Sequence, residues 1–287
     1  MTSKIYCSTL GKYSESKKLA QFFYLRKLSV EDILKESVSF TLNDFLFEQI
    51  ENSEPREFES DMQLRNFYDR LVVIEKRMEE KKTTPVFKSY AVGNCRDISL
   101  FLCSILRYNH IPARVRSGFA TFFDPVKKHD HWICEYWNES EKRWQWVDGW
   151  MYQVQAHIDK LPLFFQESFS SLGMNPLDVD EKFFITGAEA WKNGRENNDF
   201  ENYGTVVPEL KGEWFVRDNM LRDLHCQNKQ EPLPWDCWGR MGRENGSIDS
   251  GYHEFLNQVS STLLADDISI TNIQSLINQY DSVYSKA

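Results

Sequence analysis

The clearest pattern of apolar and polar positions lies between Cys95 and Tyr108. The apolar residues of this segment recur at spacings of three and four: Ile98, Phe101, Leu102, Ile105 and Leu106. This spacing predicts a helix with one wide buried face. Asn94 is expected to cap the helix, and Asp97 in the first turn complements the positive end of the helix dipole.

The pattern becomes strand-like after Pro112, where the helix is expected to have ended. Three segments are rich in aromatic and β-branched residues and predict strands. They are Ala113–Phe123, His131–Trp137 and Arg143–Val147.

The last two predicted strands are separated by Asn138–Glu141, which predicts a four-residue hairpin loop. In that register Trp137 pairs with Lys142. Extending the pairing outward places His131 directly opposite Asp148, on one face of the sheet. A slip of one residue would move the two side chains to opposite faces.

The residues that precede Gly93 read as mainly helical. Ser14–Leu28 mixes polar and apolar positions, and Ser29 is typical of a helix N-cap. Asp61–Glu80 has apolar residues near helical spacing, which predicts a second helix. Lys81–Lys88 is expected to be a loop.

The pattern is weaker after Trp150. Residues 158–208 read as irregular, with a loop-like stretch at Asn193–Asn202. Three later segments show helical apolar spacing. They are Glu213–Asn228, Tyr252–Leu264 and Ile268–Tyr280.

The composition is that of an ordinary globular protein, with 41% apolar and 27% charged residues in a chain of 287. The net charge is −9 and no basic stripe is present, which argues against nucleic acid as a partner. No apolar run approaches the ~18 residues that span a bilayer, and Met1–Leu10 lacks a signal-peptide core. Six cysteines are too few for a disulfide scaffold, so a cytoplasmic protein without membrane partners is expected.

Three residues suit nucleophilic catalysis by a thiol. Cys95 opens the best-defined helix, where the positive helix end favours the thiolate. The helix N–H groups there could stabilise an oxyanion. His131 is then the candidate base, and Asp148 the carboxylate that orients it. By contrast, Cys103 and Cys134 read as core residues.

Other readings of the same residues are open. His129 and His131 share a strand face and could bind zinc with Cys95 or Asp148, although no C-x-x-C spacing supports such a site. The tryptophans could wall an acyl-binding groove, but sheet packing explains most of them. They are Trp132, Trp137, Trp144, Trp146 and Trp150. The segment from Trp235 to Gly239 reads as a packed turn from which Asp236 could reach the site.

Four short segments together resemble the core of the transglutaminase-like superfamily. The segments are Gly93-Asn94-Cys95-Arg96-Asp97, Ile111-Pro112-Ala113-Arg114, Asp130-His131-Trp132 and Trp146-Val147-Asp148. Bacterial members of the superfamily are similar over nearly the whole chain, including Trp235-Asp236-Cys237-Trp238-Gly239.

The resemblance implies an α+β fold with a papain-like core. In such a core the cysteine-bearing helix packs on an antiparallel sheet that carries the other two residues, here with additional N- and C-terminal helices. We expect a single domain over residues 1–287, with a helical part at about 1–90. The core would then occupy about 91–157 and a mixed C-terminal extension about 158–287.

The resemblance also implies the chemistry. Cys95 would attack a carboxamide or ester and form a thioester, with His131 as base and Asp148 as orienter. Water as acceptor would make the protein a peptidase, amidase or deamidase, and an amine would make it a transferase. The expected substrates are peptides, proteins or small amides. Neither a metal nor a cofactor is expected.

The residues expected to bind substrate are Trp132, Trp150 and Asn94. The chain departs from the family pattern where Gly149 follows Asp148, since many members have proline there. The calcium sites and β-sandwich domains of the large animal crosslinking enzymes have no counterpart, which favours hydrolysis over crosslinking. Two alternatives are a binding module without turnover and an arylamine N-acetyltransferase.

Overall fold

The computed structural model describes residues 3–15, 28–51, 59–83, 90–242 and 248–284. Its α-helices within these ranges are α1 (Ser3–Cys7), α2 (Val30–Phe40), α3 (Asp44–Glu51), α4 (Glu59–Met62), α5 (Phe67–Thr83), α6 (Cys95–Tyr108), α7 (Gly149–Ala156), α8 (Leu163–Ser170), α9 (Gly187–Asn197), α10 (Glu213–Gln227), α11 (Ser250–Leu263) and α12 (Ile270–Gln279). The strands are β1 (Thr41–Asn43), β2 (Ala91–Gly93), β3 (Ala113–Ala120), β4 (Lys128–Asn138), β5 (Arg143–Val147), β6 (Phe184–Thr186) and β7 (Tyr203–Gly204).

The N-terminal part is helical as predicted, but with two differences. The predicted helix Asp61–Glu80 is divided into α4 and α5, because Asn66 caps a new helix by accepting from the Asp69 N–H at 2.8 Å. Thr41–Asn43 is a strand rather than a helix, since it pairs in parallel with β2. Most of Ser14–Leu28 and of Lys81–Lys88 lies outside the described residues.

The prediction that residues 158–208 are irregular is wrong. They contain two α-helices and two short strands, and the expected loop at Asn193–Asn202 is largely the end of α9 and a 3-10 turn. A capping box begins α9, with Glu189 bonded to both the hydroxyl and the N–H of Thr186 at 2.8 Å. The three helices predicted after residue 210 are present within one or two residues of their predicted ends.

The described chain falls into two compact units. The cysteine unit comprises Cys7–Arg114 and Ile133–Val179, and the histidine unit comprises Met1–Tyr6, Val115–Trp132 and Asp180–Ala287. In the cysteine unit, helix α6 packs on the strand pair β1–β2 and on α2 and α7. Burial, and next the neighbouring thiol of Cys103 in α6, raise the pKa of the Cys134 thiol in β4. Both cysteines are fully buried, which confirms them as core residues.

The predicted register of the β4–β5 hairpin is wrong by two residues. Asn138 pairs with Arg143 and Trp137 with Trp144, and the last pair joins Cys134 to Val147. The loop is closed by Lys142, whose φ of 58° is left-handed and whose N–H donates to the Asn138 carbonyl at 2.8 Å. The directly opposed His131–Asp148 pair is therefore absent from the observed ladder.

The histidine unit contains the ladders β3–β6, antiparallel, and β4–β7, parallel. Its core is a cluster of aromatic and aliphatic residues from β3 and from α9 to α12. Arg116 of β3 binds Asp223 of α10 with two hydrogen bonds of 3.0 and 2.9 Å. Both side chains are buried, so this ion pair fixes the α10 helix to the strand.

The strand pairing is mainly antiparallel, in the β4–β5 ladder of the cysteine unit and in the β3–β6 ladder of the histidine unit. Together with the helices it confirms the predicted α+β class, including a cysteine-bearing helix that packs on strands. No helix among the described residues combines the length and the apolar character that a bilayer crossing requires. The predicted division near residues 90 and 157 stays a prediction.

Candidate active site

Cys95 is the first residue of α6, and its side chain is half-buried. Asn94 caps the helix through a reciprocal capping box. Its side chain accepts from the Asp97 N–H at 3.2 Å, while the Asp97 carboxylate accepts from the Asn94 N–H at 3.1 Å. The helix therefore begins at the cysteine, where the helical N–H groups and the positive dipole end are found. The predicted extent of this helix, and its cap, are confirmed.

The segment before the cysteine is held in place by a buried ionic cluster. The Asp97 carboxylate lies 2.9 Å from the Arg70 guanidinium and 3.0 Å from that of Arg96. Gly93 is packed so tightly that a Cβ added there would lie 2.8 Å from the Asp97 Cβ. The ion pairs of Asp97 and the tight packing of Gly93 therefore fix the backbone just before α6.

Asn43 is a second polar anchor of the cysteine unit, and it is buried. It lies opposite Gly93 in the β1–β2 pair, and its Nδ2 is 3.5 Å from the Gly93 carbonyl. Its Oδ1 accepts from the Trp150 Nε1–H at 3.0 Å, and its N–H donates to the Gln153 Oε1 at 3.1 Å. Asn43 therefore joins the strand that leads into Cys95 to the helix α7.

Asp148 lies directly after β5 and is buried. It caps α7 by accepting from the Met151 N–H at 3.0 Å, and its own N–H donates to the Pro176 carbonyl at 2.8 Å. A Cβ added at Gly149 would lie 2.4 Å from Cγ2 of Ile98, in the first turn of α6. The structure thus places Asp148 on a helix that touches the first turn of the cysteine helix. This contact leaves space only for glycine after Asp148.

Asp44 was not singled out from the sequence. It is the first residue of α3 and directly follows Asn43. Burial raises the pKa of its carboxyl to about 6, although the Phe45 N–H lowers it, and the negative charges of Asp97 and Glu48 raise it further. Its position one residue beyond the Asn43–Gly93 pair puts a titratable group near the start of α6.

His131 belongs to β4 in the histidine unit and is buried. Its imidazole lies edge-to-face with Phe122 and Phe123, with ring centroids 5.9 Å apart in each pair. Phe184 of β6 lies 6.4 Å from it. His129 also contacts Phe123 at 5.9 Å, and burial lowers its pKa. The imidazole of His131 is therefore held in an apolar aromatic setting.

The predicted substrate-binding residues have different surroundings. Trp132 is 1% exposed and Trp150 is 6% exposed, so both rings are packed inside their own units. Asn94 is engaged in the capping box. Trp137 and Trp144 contact each other at 5.9 Å, which confirms sheet packing for this pair. A role for Trp132, Trp150 or Asn94 in substrate binding stays a prediction.

The alternative zinc site would need at least three ligands close together. Among the residues that the structure describes, no group of three or more His, Cys, Asp or Glu side chains is arranged to hold a metal.

The segment around Asp236 is a turn, because its carboxylate accepts from the Leu233 N–H at 2.9 Å and its N–H donates to the Leu233 carbonyl. Cys237 in this turn is exposed.

The range from β1 to the start of α7 contains Cys95, His131 and Asp148. Residues 41–149 match the family model of the transglutaminase-like superfamily. The resemblance predicted from the sequence is confirmed for this range, and the match supports a cysteine-based enzyme. The matched range begins at Thr41, well before the predicted core boundary at about residue 91.

The chain is also similar to a solved structure named "Putative Cysteine Protease from Cytophaga hutchinsonii". The sequence identity is 15% and the TM-score is 0.19, over 52% of this chain and 48% of that chain. The chain therefore spans about half the length of that protein. The comparison with curated proteins gives no match.

Proposed function

We propose that the protein is a cysteine-nucleophile enzyme that acts on carboxamides or esters through a thioester on Cys95. The observation that carries the proposal is the position of Cys95 at the capped start of α6, inside the range that matches the superfamily. His131 is proposed as the general base and Asp148 as the residue that orients it. Peptides, proteins or small amides are the proposed substrates.

The first half of the reaction forms the thioester. His131 takes the proton of Cys95, and the sulfur attacks the carbonyl carbon, so that a C–S bond forms. The N–H groups at the start of α6 stabilise the oxyanion of the tetrahedral intermediate. The C–N or C–O bond then breaks, and the leaving group takes the proton from the imidazolium of His131.

The second half releases the acyl group. Water, or an amine, gives a proton to His131 and attacks the thioester carbonyl. The C–S bond breaks, and the thiolate takes back its proton from His131. With water the product is a carboxylic acid, as in a peptidase, amidase or deamidase. With an amine the product is a new amide, as in a transglutaminase-type reaction.

Thiol alkylation tests the proposal without a known substrate. Cys95 should react with iodoacetamide well below pH 8.5, the ordinary thiol range, and His131→Ala should abolish this advantage. Mass mapping of the digest follows each cysteine separately. Exposed Cys237 serves as the internal reference, while Cys7, Cys103 and the other buried thiols should stay unlabelled.

Alkylation of Cys95 only in the ordinary thiol range, near pH 8.5, would contradict the proposal and favour a binding module. A second screen identifies the acyl group. Wild type and Cys95→Ala are incubated with a library of electrophilic amides and esters, and a mass adduct confined to wild type marks the trapped thioester. Turnover of acetyl-CoA with an arylamine acceptor would instead favour the N-acetyltransferase alternative.

A further inference from the structure

Asn219 of α10 is fully buried, and its side chain is bonded to two strands of the histidine unit. Its Nδ2 donates to the Asp130 carboxylate of β4 at 2.6 Å and to the Gly118 carbonyl of β3 at 3.2 Å. Asp130 is the residue directly before His131. The α10 helix therefore holds β4 at the position that precedes the candidate base.

The α10 helix can support β4 because it is itself fixed to β3. Asp223, one turn after Asn219, pairs with Arg116 and accepts from the Ser117 N–H at 3.1 Å. Together with the Gly118 carbonyl, three consecutive residues of β3 are bonded to side chains of α10. Asn219 extends this attachment from β3 to β4.

The carboxamide of Asn219 has one favourable orientation. Its Oδ1 is buried and accepts no hydrogen bond from the described residues, and a Cβ added at Gly187 of α9 would lie 2.6 Å from it. The opposite orientation would turn Oδ1 toward the Asp130 carboxylate and the Gly118 carbonyl, which are both acceptors. The two bonds of Nδ2 therefore fix the amide, at the cost of one acceptor without a donor.

Asp130 and His131 point to opposite faces of β4, because successive side chains of a strand alternate. The Asp130 carboxylate faces α10, while the His131 imidazole lies against the edges of Phe122 and Phe123. These aromatic rings pack around the imidazole but have no polar group that could fix the strand. The bond from Asn219 supplies such a restraint on the other face.

The bond between Asn219 and Asp130 is strong when the carboxylate is charged. Burial raises the pKa of the Asp130 carboxyl, while Arg222, the Asn219 amide and His131 act in the opposite direction. Three neighbours therefore oppose the loss of the charge that strengthens the bond.

We propose that Asn219 is a positioning residue for His131, which holds β4 through Asp130 so that the imidazole keeps the place that proton transfer requires. This inference rests on the proposed function, because the place of the ring matters to the reaction only if His131 is the base. The α10 helix lies outside residues 41–149, which match the superfamily. The C-terminal part of the chain thereby gains a role in the reaction.

The pH dependence of Cys95 alkylation tests the inference in the full chain. Asn219→Ala should slow labelling of Cys95 by iodoacetamide about tenfold near pH 6.5 and move the profile toward the ordinary thiol range. Ser260→Ala is the matched control, because it removes another buried bond of the histidine unit, from Ser260 Oγ to the Ala188 carbonyl at 2.9 Å. This control should keep the profile of wild type.

Variants of Asp130 separate the hydrogen bond from the charge. Asp130→Asn keeps an oxygen that accepts from Asn219 and should retain most of the labelling at low pH. Asp130→Ala removes the acceptor and should resemble Asn219→Ala, and the double variant should be no slower than either single variant. An equal loss for Asp130→Asn and Asp130→Ala, or additive losses in the double variant, would overturn the inference.

Circular dichroism shows whether each variant is folded. If Asn219→Ala does not fold, the double variant Asp130→Ala with Asn219→Ala replaces it, because no carboxylate then lacks its donor. A wild-type profile in this double variant would also overturn the inference.

The NMR signal of the ring separates this inference from the proposed function. With ¹³C-labelled histidine, the six histidines give separate imidazole signals, and His131→Ala identifies that of His131. Asn219→Ala should shift and broaden this signal, whereas Ser260→Ala should not. An unchanged His131 signal in Asn219→Ala would overturn the inference even where Cys95 is reactive. A changed signal, together with ordinary reactivity of wild-type Cys95, would confirm that Asn219 positions the ring and contradict the proposed enzyme.

Discussion

The partly buried carboxyl of Asp44 lowers the stability of the folded state at neutral pH, where it must be charged. Its carboxyl has a pKa of about 6 in the folded chain, against an ordinary value of 3.8, because burial disfavours the charged form and Asp97 and Glu48 are negative. The folded state therefore binds this proton more tightly than the unfolded state does. The stabilisation is complete below pH 3.8 and is lost as the pH rises through about 6.

We expect Asp44→Asn to stabilise the protein above pH 6 and to have little effect near pH 4. The asparagine carries no charge to desolvate, so it avoids the penalty that the aspartate meets at neutral pH. Melting temperatures at pH 4, 5, 6 and 7.5 for wild type and variant measure the difference. Asp266→Asn, at an exposed position, is the control and should show no such pH dependence. A gain for Asp44→Asn that is equal at every pH would refute the assignment.

The conformation of the β4–β5 loop is set by Asn138 and Lys142. The hairpin register was mispredicted because the side chain of Asn138 accepts from the Ser140 N–H at 3.0 Å and the Glu141 N–H at 3.2 Å. Asn138 thereby closes the loop while its backbone stays paired in the strand. Lys142 takes a left-handed conformation that the pattern would assign to glycine or asparagine. Neither feature is visible in apolar alternation.

At the scale of elements, the contact between α6 and α7 depends on the absence of a side chain at Gly149. The built Cβ at this position lies 2.4 Å from Ile98, far inside normal contact distance. Alanine is otherwise the better helix former by about 1 kcal/mol, so helix propensity and packing predict opposite signs.

Packing should prevail, and Gly149→Ala should destabilise the protein by about 1–3 kcal/mol. Ile98→Ala alone should cost about 2–5 kcal/mol by leaving a cavity. The double variant should lose clearly less than the sum, because the new methyl group enters the space that Ile98 vacates. Urea unfolding of the four proteins measures the coupling energy. Strict additivity would show that the two helices are not in contact there.

Local signals explain which helices the sequence revealed. Helix α6 was predicted to the residue because Asn94 and Asp97 form its cap and its apolar stripe is regular. Helix α9 has an equally clear local signal, the capping box of Thr186 and Glu189. It was not predicted because the apolar periodicity of its sequence is weak. The strands β1 and β2 have three residues each, and only their pairing with each other defines them. Such long-range pairing cannot be predicted from short segments.

For the whole molecule, the buried pair of Arg116 and Asp223 should govern the stability of the histidine unit. Asp223 also accepts from the Ser117 N–H at 3.1 Å and from Gln227 at 3.3 Å. We expect Asp223→Ala to cost about 3–5 kcal/mol, because the buried guanidinium loses its counter-charge. Chemical denaturation followed by circular dichroism measures the loss.

The double variant Arg116→Met with Asp223→Leu is the matched comparison. Replacing both partners by apolar residues of similar size should recover much of the stability, since no charge is then left unpaired. A loss below about 1 kcal/mol for Asp223→Ala would mean that the pair is exchanged for water at little cost.

Features that depend on residues close together in the sequence could be predicted, whereas features that depend on distant residues could not. The class of fold, the cysteine helix and the matched superfamily follow from local patterns and from the short segments around Cys95, His131 and Asp148. The C-terminal packing and the anchors Asn43 and Asp44 could not be derived, because each depends on residues distant in sequence. The candidate catalytic triad itself stays a prediction until Cys95 reactivity is measured.

The sequence Asp148-Gly149 has a consequence for the ageing of the protein. In flexible chains an aspartate before glycine cyclises readily to a succinimide and reopens mainly as isoaspartate. Here the carboxylate is held on the Met151 N–H and the glycine is fixed against Ile98, so cyclisation should be slow while the protein stays folded. Repeated partial unfolding during storage should therefore let isoaspartate accumulate here, with the main chain running through the side chain of residue 148.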